Sequence, residues 1–164
     1  MASVPRMFGL MVAAAAMLLA PVTSSARRAK LGAITFDLPH NWKVESDQSE
    51  RLFASGSGSP YTPPVVIMEF CSSSSKLACP TTEAPDAKLE GCTNPQLSEK
   101  SWSRGFSEKR WTCSRALTDK GAITAAVSYF ETPAWVLRVA YLSGDGDKPP
   151  DEFLNDFASS LRQR

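Results

Sequence analysis

The stretch Trp111–Leu142, WTCSRALTDKGAITAAVSYFETPAWVLRVAYL, decides the fold because apolar and polar residues alternate in three successive runs. Alternation with a period of two is typical of strands that bury one face. Asp119–Gly121 and Thr132–Pro133 separate the runs, and residues of these types favour tight turns. Three strands joined by tight turns predict an antiparallel meander.

The residues after the meander predict a C-terminal helix. Pro149–Pro150 suit a first helical turn, and Asp151–Glu152 complement the positive end of the helix dipole. Arg162 and Arg164 lie at the C-terminal end of the predicted helix, where cations are favoured. One apolar stripe runs along the segment, with Phe153, Leu154, Phe157, Ala158 and Leu161 at helical spacing. The chain is therefore predicted to be α+β, an antiparallel sheet with this helix packed on one face.

The first half of the chain predicts further strands and one short helix. Ala33–Leu38 alternates and indicates a half-buried strand, and Trp42–Val44 resumes the extended conformation. Arg51–Ala54 is a short strand candidate. Val65–Phe70 is apolar on both faces, which predicts a central strand covered on each side. Asn94–Arg104 is interpreted as a short helix.

The N-terminus has the pattern of a secretory signal peptide. One cation precedes the uncharged apolar run Met7–Ala20, which is shorter than the roughly 20 residues that span a bilayer. Ser24 and Ala26 fit the small positions before a cleavage site, so cleavage is predicted after Ala26. A buried N-terminal helix is the alternative. We expect a leader at 1–26, a single domain at 27–164, a periplasmic or secreted location and no membrane span after processing.

The charge balance argues against nucleic acid and anionic membranes as partners. The chain has 18 basic and 17 acidic residues, and one basic residue lies in the predicted leader. The mature part is therefore neutral, whereas both kinds of partner demand a basic excess. Arg27, Arg28 and Lys30 form a small basic cluster that is interpreted as a solvated tail.

Four cysteines, Cys71, Cys79, Cys92 and Cys113, lie in the predicted mature part. An even number in an exported domain predicts two disulfides, which would order the long polar loop 71–95. Three pairings are open. Short loops close readily, which favours Cys71–Cys79 with Cys92–Cys113. A zinc site is the rival interpretation, but the chain has no CxxC pair.

No group of residues has the pattern of a catalytic site. His40 is the only histidine, and a lone histidine in a turn is usually just exposed. Ser72–Ser75 offer hydroxyls without a GxSxG motif. Asp145 and Asp147 suggest calcium, but a turn before a helix explains them better. The sequence predicts a protein that is not an enzyme and that holds no cofactor or metal.

Both ends of the chain resemble PsbP-like and Mog-type α/β/α sandwich domains. The opening similarity is carried by Ile34-Thr35-Phe36-Asp37-Leu38-Pro39 and Asn41-Trp42, and the closing one by Phe153, Phe157, Ala158, Ser160 and Leu161. The resemblance covers about half of the predicted mature chain. It implies a PsbP-like fold and binding of other proteins, because members mostly bind proteins and several exported bacterial members serve as lipoprotein accessories or as immunity proteins.

Binding to another protein is the function that these observations favour. Trp42, Trp111 and Trp135 lie in strand patterns and are assigned to the core. Trp102 has the weakest claim to the core, and together with Tyr61 and Arg104 it is the candidate interface, because aromatic and arginine side chains dominate binding hot spots. The sharpest hypothesis is an exported immunity protein that neutralises a toxin enzyme. The alternatives are a small-ligand carrier that uses the sheet–helix cleft and a hydrolase.

Overall fold

A computed structural model of the chain describes residues 26–57, 64–75, 79–80, 93–117, 121–144 and 147–164. The helix α1 spans Pro150–Ser160. The strands are β1 (Ala26–Leu31), β2 (Ile34–Pro39), β3 (Lys43–Asp47), β4 (Arg51–Ser55), β5 (Val65–Ser72), β6 (Thr93–Trp102), β7 (Phe106–Leu117), β8 (Gly121–Glu131), β9 (Trp135–Ser143) and β10 (Arg162–Gln163). No helix in these ranges is long and apolar enough to cross a bilayer.

Seven strands form the main sheet in the order β3-β4-β5-β9-β8-β7-β6. Each neighbouring pair is antiparallel. The predicted meander is confirmed as β7, β8 and β9, and β6 extends it by one more strand. The turn residues 118–120 lie outside the described residues. The coarse prediction of an α+β protein dominated by an antiparallel sheet is confirmed.

The helix α1 packs on one face of this sheet and forms the core with it. Phe157 lies 5.1 Å from Phe36 and 5.6 Å from Phe130, measured between ring centroids. Phe153 stacks on Tyr141 at 4.1 Å. Burying a side chain of this size contributes roughly 1.5–3 kcal/mol to stability. The apolar stripe read from the sequence is therefore what holds the helix to the sheet.

A second sheet corrects the prediction for the N-terminal basic cluster. β1, β2 and β10 form a three-stranded sheet in the order β1-β2-β10. Arg27, Arg28 and Lys30 are part of β1 rather than a solvated tail. Arg28 pairs with Asp37 of β2 at 2.9 Å. The sequence of β1 shows no apolar–polar alternation, because β1 is an edge strand that buries only Leu31.

β6 corrects the prediction of a short helix at Asn94–Arg104. Thr93–Trp102 is a strand paired with β7 along most of its length. Its residues from 95 to 101 are all exposed. A strand at the edge of a sheet buries so little that its sequence needs no apolar alternation, and Leu97 is the one large apolar residue before Trp102. The period-two signal was therefore absent.

β5 also departs from the prediction that it is covered on each side. It lies between β4 and β9, as a central strand should. Val66 and Met68 are fully buried in the core, but Ile67, which points to the other face, is 37% exposed. The apolar run therefore does not mean that both faces are packed. Ile67 is an exposed apolar side chain in the middle of the sheet.

The predicted disulfides agree with the structure where it can be described. Cys71, near the end of β5, is bonded to Cys79 with 5.3 Å between their Cα atoms. Cys113 of β7 is also disulfide-bonded. Cys92, the partner expected for Cys113, lies outside the described residues. The Cys71–Cys79 pairing is confirmed.

Candidate binding surface

The strand β6 lies at one edge of the main sheet, and its residues from 95 to 101 are all exposed. It is ten residues long, and β7 is its neighbour in the sheet. Leu97, near its middle, is 48% exposed. A long edge strand presents backbone N–H and C=O groups that can pair with a strand from another chain. Among the described strands, this edge is the one best suited to receive such a strand.

Leu97 also ends a continuous apolar row that crosses the sheet on the face opposite α1. In this row each residue stands directly opposite the next across a strand pair, in the order Phe53, Ile67, Ala140, Val127, Trp111, Leu97. Val127 and Ala140, in the middle, are buried, whereas Ile67 and Leu97 are the exposed large hydrophobic residues. The row therefore gives β6 an apolar contact beside its open backbone.

Trp102, predicted as an interface anchor, lies at the end of β6 and is half-buried. Its ring stacks on Phe106 at 5.9 Å between centroids. Its Nε1 donates a hydrogen bond of 2.9 Å to Glu108 Oε2. The Lys100 ammonium lies 3.8 Å over the ring centroid, a favourable cation–π geometry. Trp102 thus ties the open strand to the core and exposes only part of its ring.

Arg104, the second predicted anchor, lies in the turn between β6 and β7 and is exposed. Its Nη1 donates hydrogen bonds to the carbonyl oxygens of Ser159 and Leu161, the latter at 3.0 Å. The last carbonyls of a helix lack partners within the helix and carry partial negative charge. The last turn of α1 itself contains no basic residue. Arg104 therefore complements the end of α1 and joins it to the β6–β7 hairpin.

A buried ion pair lies within the same hairpin, on the side that contacts α1. Glu108 and Arg110 of β7 are 2% and 5% exposed, respectively. The Arg110 Nε atom donates to Glu108 Oε1 at 2.7 Å, and the Ser128 hydroxyl donates to the same oxygen at 2.7 Å. With Trp102 on Oε2, both carboxylate oxygens are hydrogen-bonded. A buried charge is tolerated only when it is paired and hydrogen-bonded in this way.

Arg110 extends this network to the helix. Its Nη1 atom donates to Asp151 Oδ1 at 2.9 Å, and its Nη2 atom donates to Asn155 Oδ1 at 3.1 Å. Asp151 and Asn155 lie one turn apart on the same side of α1. The guanidinium, which always carries its charge, is therefore held between β7 and α1. The network fixes the position of the hairpin, and hence of β6, relative to the rest of the fold.

The sequence located part of this surface. Trp102 and Arg104 both lie on the β6–β7 hairpin, and Tyr61, the third predicted residue, lies outside the described residues. Sequence reasoning missed Leu97, because β6 was interpreted as a helix. It also missed Glu108 and Arg110, although their spacing of two after Phe106 is a strand signal that places all three on one face.

His40 and Asp147, which the sequence offered as candidates for catalysis and for calcium binding, lie in turns of the described structure. His40 is exposed in the turn after β2. Within these ranges, no group of three or more histidine, cysteine, aspartate or glutamate side chains is arranged to hold a metal ion. Asp145, one of the two possible calcium ligands, lies outside them, and Asp147 Oδ2 accepts a hydrogen bond from the Gly144 N–H at 2.8 Å. The turn interpretation explains that contact.

Comparison with known proteins gives a structural likeness and no family. No family model matches the chain, and no curated protein matches it. A crystal structure from Bacteroides thetaiotaomicron matches with a TM-score of 0.51 at 10% sequence identity, covering 80% of this chain and 45% of that one. The chain thus spans less than half of that protein. At this level of identity the likeness concerns the fold alone.

Proposed function

We propose that this protein is an exported protein-binding module of the cell envelope and that β6 is the strand to which its partner binds. The observation that carries the proposal is the exposed run from 95 to 101 on an edge strand, with Leu97 half-exposed at its centre. An extended segment of a partner can add itself to such an edge. Backbone hydrogen bonds then supply affinity, and side-chain contacts supply specificity.

The rigidity of the hairpin supports this proposal. Trp102, Glu108 and Arg110 connect β6 through β7 to the helix, so the edge is held in one position before a partner arrives. A surface that is ordered in advance loses less conformational entropy on binding. An edge strand that is ordered in advance is what we expect of a protein that functions by binding a partner at its surface.

Export and the finer identity rest on the sequence. The predicted leader at 1–26 and the Cys71–Cys79 disulfide fit an oxidising compartment. The PsbP-like resemblance of both ends favours a protein partner. The sharpest version of the proposal is an immunity protein that neutralises an exported toxin enzyme. In that version β6 pairs with an extended segment of the toxin.

Affinity capture tests the proposal. The purified protein, its Leu97→Lys variant and its Ser46→Lys variant are immobilised and exposed to the envelope fraction of the source cells. Ser46 is exposed on β3, the opposite edge of the sheet, so its variant adds the same charge at a matched location. We expect a specific protein to be retained by the wild type and by Ser46→Lys but reduced about tenfold by Leu97→Lys, as for a hot-spot residue.

Two results would contradict this assignment. Equal retention by Leu97→Lys would exclude β6 as the docking edge, and recovery of no specific protein by the wild type would remove the support for a binding module. If the retained protein is an enzyme, the immunity version further requires that one equivalent of the wild type inhibits it. An enzyme that keeps full activity in that mixture would reject neutralisation while leaving the binding assignment intact.

A further inference from the structure

Two arginine side chains meet at the C-terminal end of α1. Arg104 lies in the turn between β6 and β7, and Arg162 is the first residue of β10. The Nη1 atoms of both side chains donate to the carbonyl oxygens of Ser159 and Leu161. Each Nη1 lies 3.0 Å from the Leu161 oxygen, so the two nitrogens are separated by no more than twice that distance. Because both residues are exposed, two positive charges are held side by side at the surface.

The contacts of the two guanidinium groups leave most of their positive charge unneutralised. The C-terminal end of a helix carries roughly half an elementary negative charge, whereas each guanidinium always carries a full positive charge. In the part of the chain that the structure describes, no carboxylate pairs with Arg104 or Arg162. Like charges this close repel each other, so an anion between them would be stabilised.

The neighbouring charges do not compensate this arginine pair. The carboxylates on the side of the molecule that carries α1 have cations of their own: Glu108 and Asp151 contact Arg110, Glu152 and Asp156 contact Lys148, and Asp37 contacts Arg28. The two shared cations leave two negative charges over, which Lys30 and Lys100 balance in number. Glu99 and Glu131 point to the sheet face away from α1, and Glu50 lies in the β3–β4 turn. The charges of Arg104 and Arg162 therefore remain in excess.

The remaining N–H groups of both side chains suit a carboxylate. The carbonyl contacts use Nη1 alone, so Nε and Nη2 of each arginine have no acceptor among the described residues other than those carbonyls. A guanidinium presents these donors as a planar fork that matches the two oxygens of a carboxylate. Because the carbonyl bonds already hold the side chains, less conformational entropy is lost when an anion binds. The pair is a preformed site for carboxylate groups.

We propose that Arg104 and Arg162 bind an acidic segment of the protein partner, next to the strand that pairs with β6. This inference rests on the proposed function for the identity of its occupant. β6 ends at Trp102, and Arg104 follows two positions later in the turn. A strand rises about 3.3 Å per residue, so a segment that pairs along β6 and continues past Trp102 reaches this turn within about two residues. The partner segment therefore combines an extended stretch with acidic residues at the end that lies beside Trp102.

Tetraglutamate with blocked termini is a suitable probe, because all of its charge is on side-chain carboxylates. Tetraglutamine is the matched neutral peptide, and acetate supplies the same carboxylate as a free small anion. The Nε–Hε signals of Arg104 and Arg162 are followed by NMR while each compound is added to the purified protein at low salt and neutral pH. We expect saturable shifts with tetraglutamate, none with tetraglutamine, and much weaker binding of acetate at equal carboxylate concentration.

Substitutions show whether the arginine pair selects the acidic peptide. Arg104→Gln and Arg162→Gln should each weaken tetraglutamate by up to about fivefold, the range for an exposed charge pair. Arg162 lies outside the β6–β7 hairpin, so its variant separates lost binding from a misfolded hairpin. Arg51→Gln makes the same change in net charge at an exposed arginine that already pairs with Glu69 at 3.3 Å, and it should change nothing. The proposal is overturned if no saturable shifts occur, if tetraglutamine or acetate binds as tightly, or if Arg51→Gln has the same effect.

Capture from the envelope fraction connects the site to the partner. Immobilised Arg162→Gln should retain less of the protein that the wild type captures, by up to about fivefold, and the difference should shrink as salt is raised. If Arg162→Gln retains that protein as well as the wild type does while Leu97→Lys loses it, the acidic segment is rejected and binding at β6 stands. Capture of no specific protein by the wild type would overturn the proposed function and this occupant together.

Discussion

The two edges of the main sheet, β3 and β6, are built in opposite ways. β3 is five residues long and carries the charged residues Lys43, Glu45 and Asp47, with a register shift between Val44 and Ser46. Charge, shortness and irregularity are the features by which proteins prevent edge-to-edge pairing. β3 therefore has the features of a protected edge.

β6 has fewer of these protections over most of its length. A register shift occurs between Thr93 and Gln96, Pro95 lacks a backbone N–H, and Glu99 and Lys100 add two charges of opposite sign. From Gln96 as far as Trp102, however, the strand pairs regularly with β7. Leu97 is exposed in this regular part. The comparison shows that one sheet can have one protected edge and one open edge. The open edge is held in position by the hydrogen bonds that Glu108 and Arg110 make with Trp102 and α1.

The largest expected effect comes from removing these hydrogen bonds. Glu108→Ala removes the buried carboxylate from Arg110 and leaves its guanidinium only the largely exposed carboxylate of Asp151. Removing one partner of a buried pair typically costs about 3–5 kcal/mol. We expect the free energy of unfolding, measured with urea, to fall by that amount. A loss below about 1 kcal/mol would show that the network does not hold the hairpin.

The double variant Glu108→Leu/Arg110→Met separates charge from packing. It removes the two principal charges of the network and fills their volume with apolar atoms, which is often neutral for a buried pair. It should recover much of the stability lost in Glu108→Ala. If the double variant is as unstable as the single one, the cost comes from lost packing or from Ser128 and Trp102, which lose their acceptor.

An intermediate effect is expected for Trp102→Ala. The sequence assigns Trp102 to the interface rather than to the core, which implies that this change weakens binding without lowering the melting temperature. The structure revises the second half of that expectation, because the ring packs on Phe106 and donates to buried Glu108. A loss of about 2–3 kcal/mol follows from the lost packing and from the unsatisfied acceptor. An unchanged melting temperature would show that Trp102 is a free surface anchor after all.

The smallest effect concerns the protected edge. The hydrogen bond from Lys43 lowers the pKa of Glu45 below 4.5 in the folded protein. A lowered folded pKa means that the stabilisation is present above about pH 4.5 and is lost as the pH falls through the folded value. NMR titration of the Glu45 carboxyl should show this lowered pKa, and Lys43→Gln should raise it. An unaltered pKa in Lys43→Gln would contradict the assigned cause.

The sequence predicted the elements that bury one clear face and missed those that bury little. Periodicity predicts β7, β8, β9 and α1, because the side chains that contact the core recur along them at the spacing of a strand or a helix. β1 and β6 are edge strands, so most of their side chains face solvent and no period is imposed on them. For the same reason Ile67 could not be recognised as exposed, since an apolar run does not reveal how its second face is covered.

The candidate surface was only partly predictable. Trp102 stood out because it lies among serines and cations, yet nothing local indicated that its indole N–H reaches Glu108, six positions away across the hairpin. The contact of Arg104 with the end of α1 joins residues 55 and 57 positions apart. Contacts of this range depend on the tertiary fold, which the local sequence pattern does not encode.

Amide hydrogen exchange across β6 and β3, with and without the captured partner, tests the central claim most directly. If β6 receives a strand, the amides between Gln96 and Trp102 that face away from β7 should exchange markedly more slowly in the complex. The amides of Lys43–Asp47 should keep their free-state rates. Unchanged exchange in β6, or equal protection at both edges, would contradict the account.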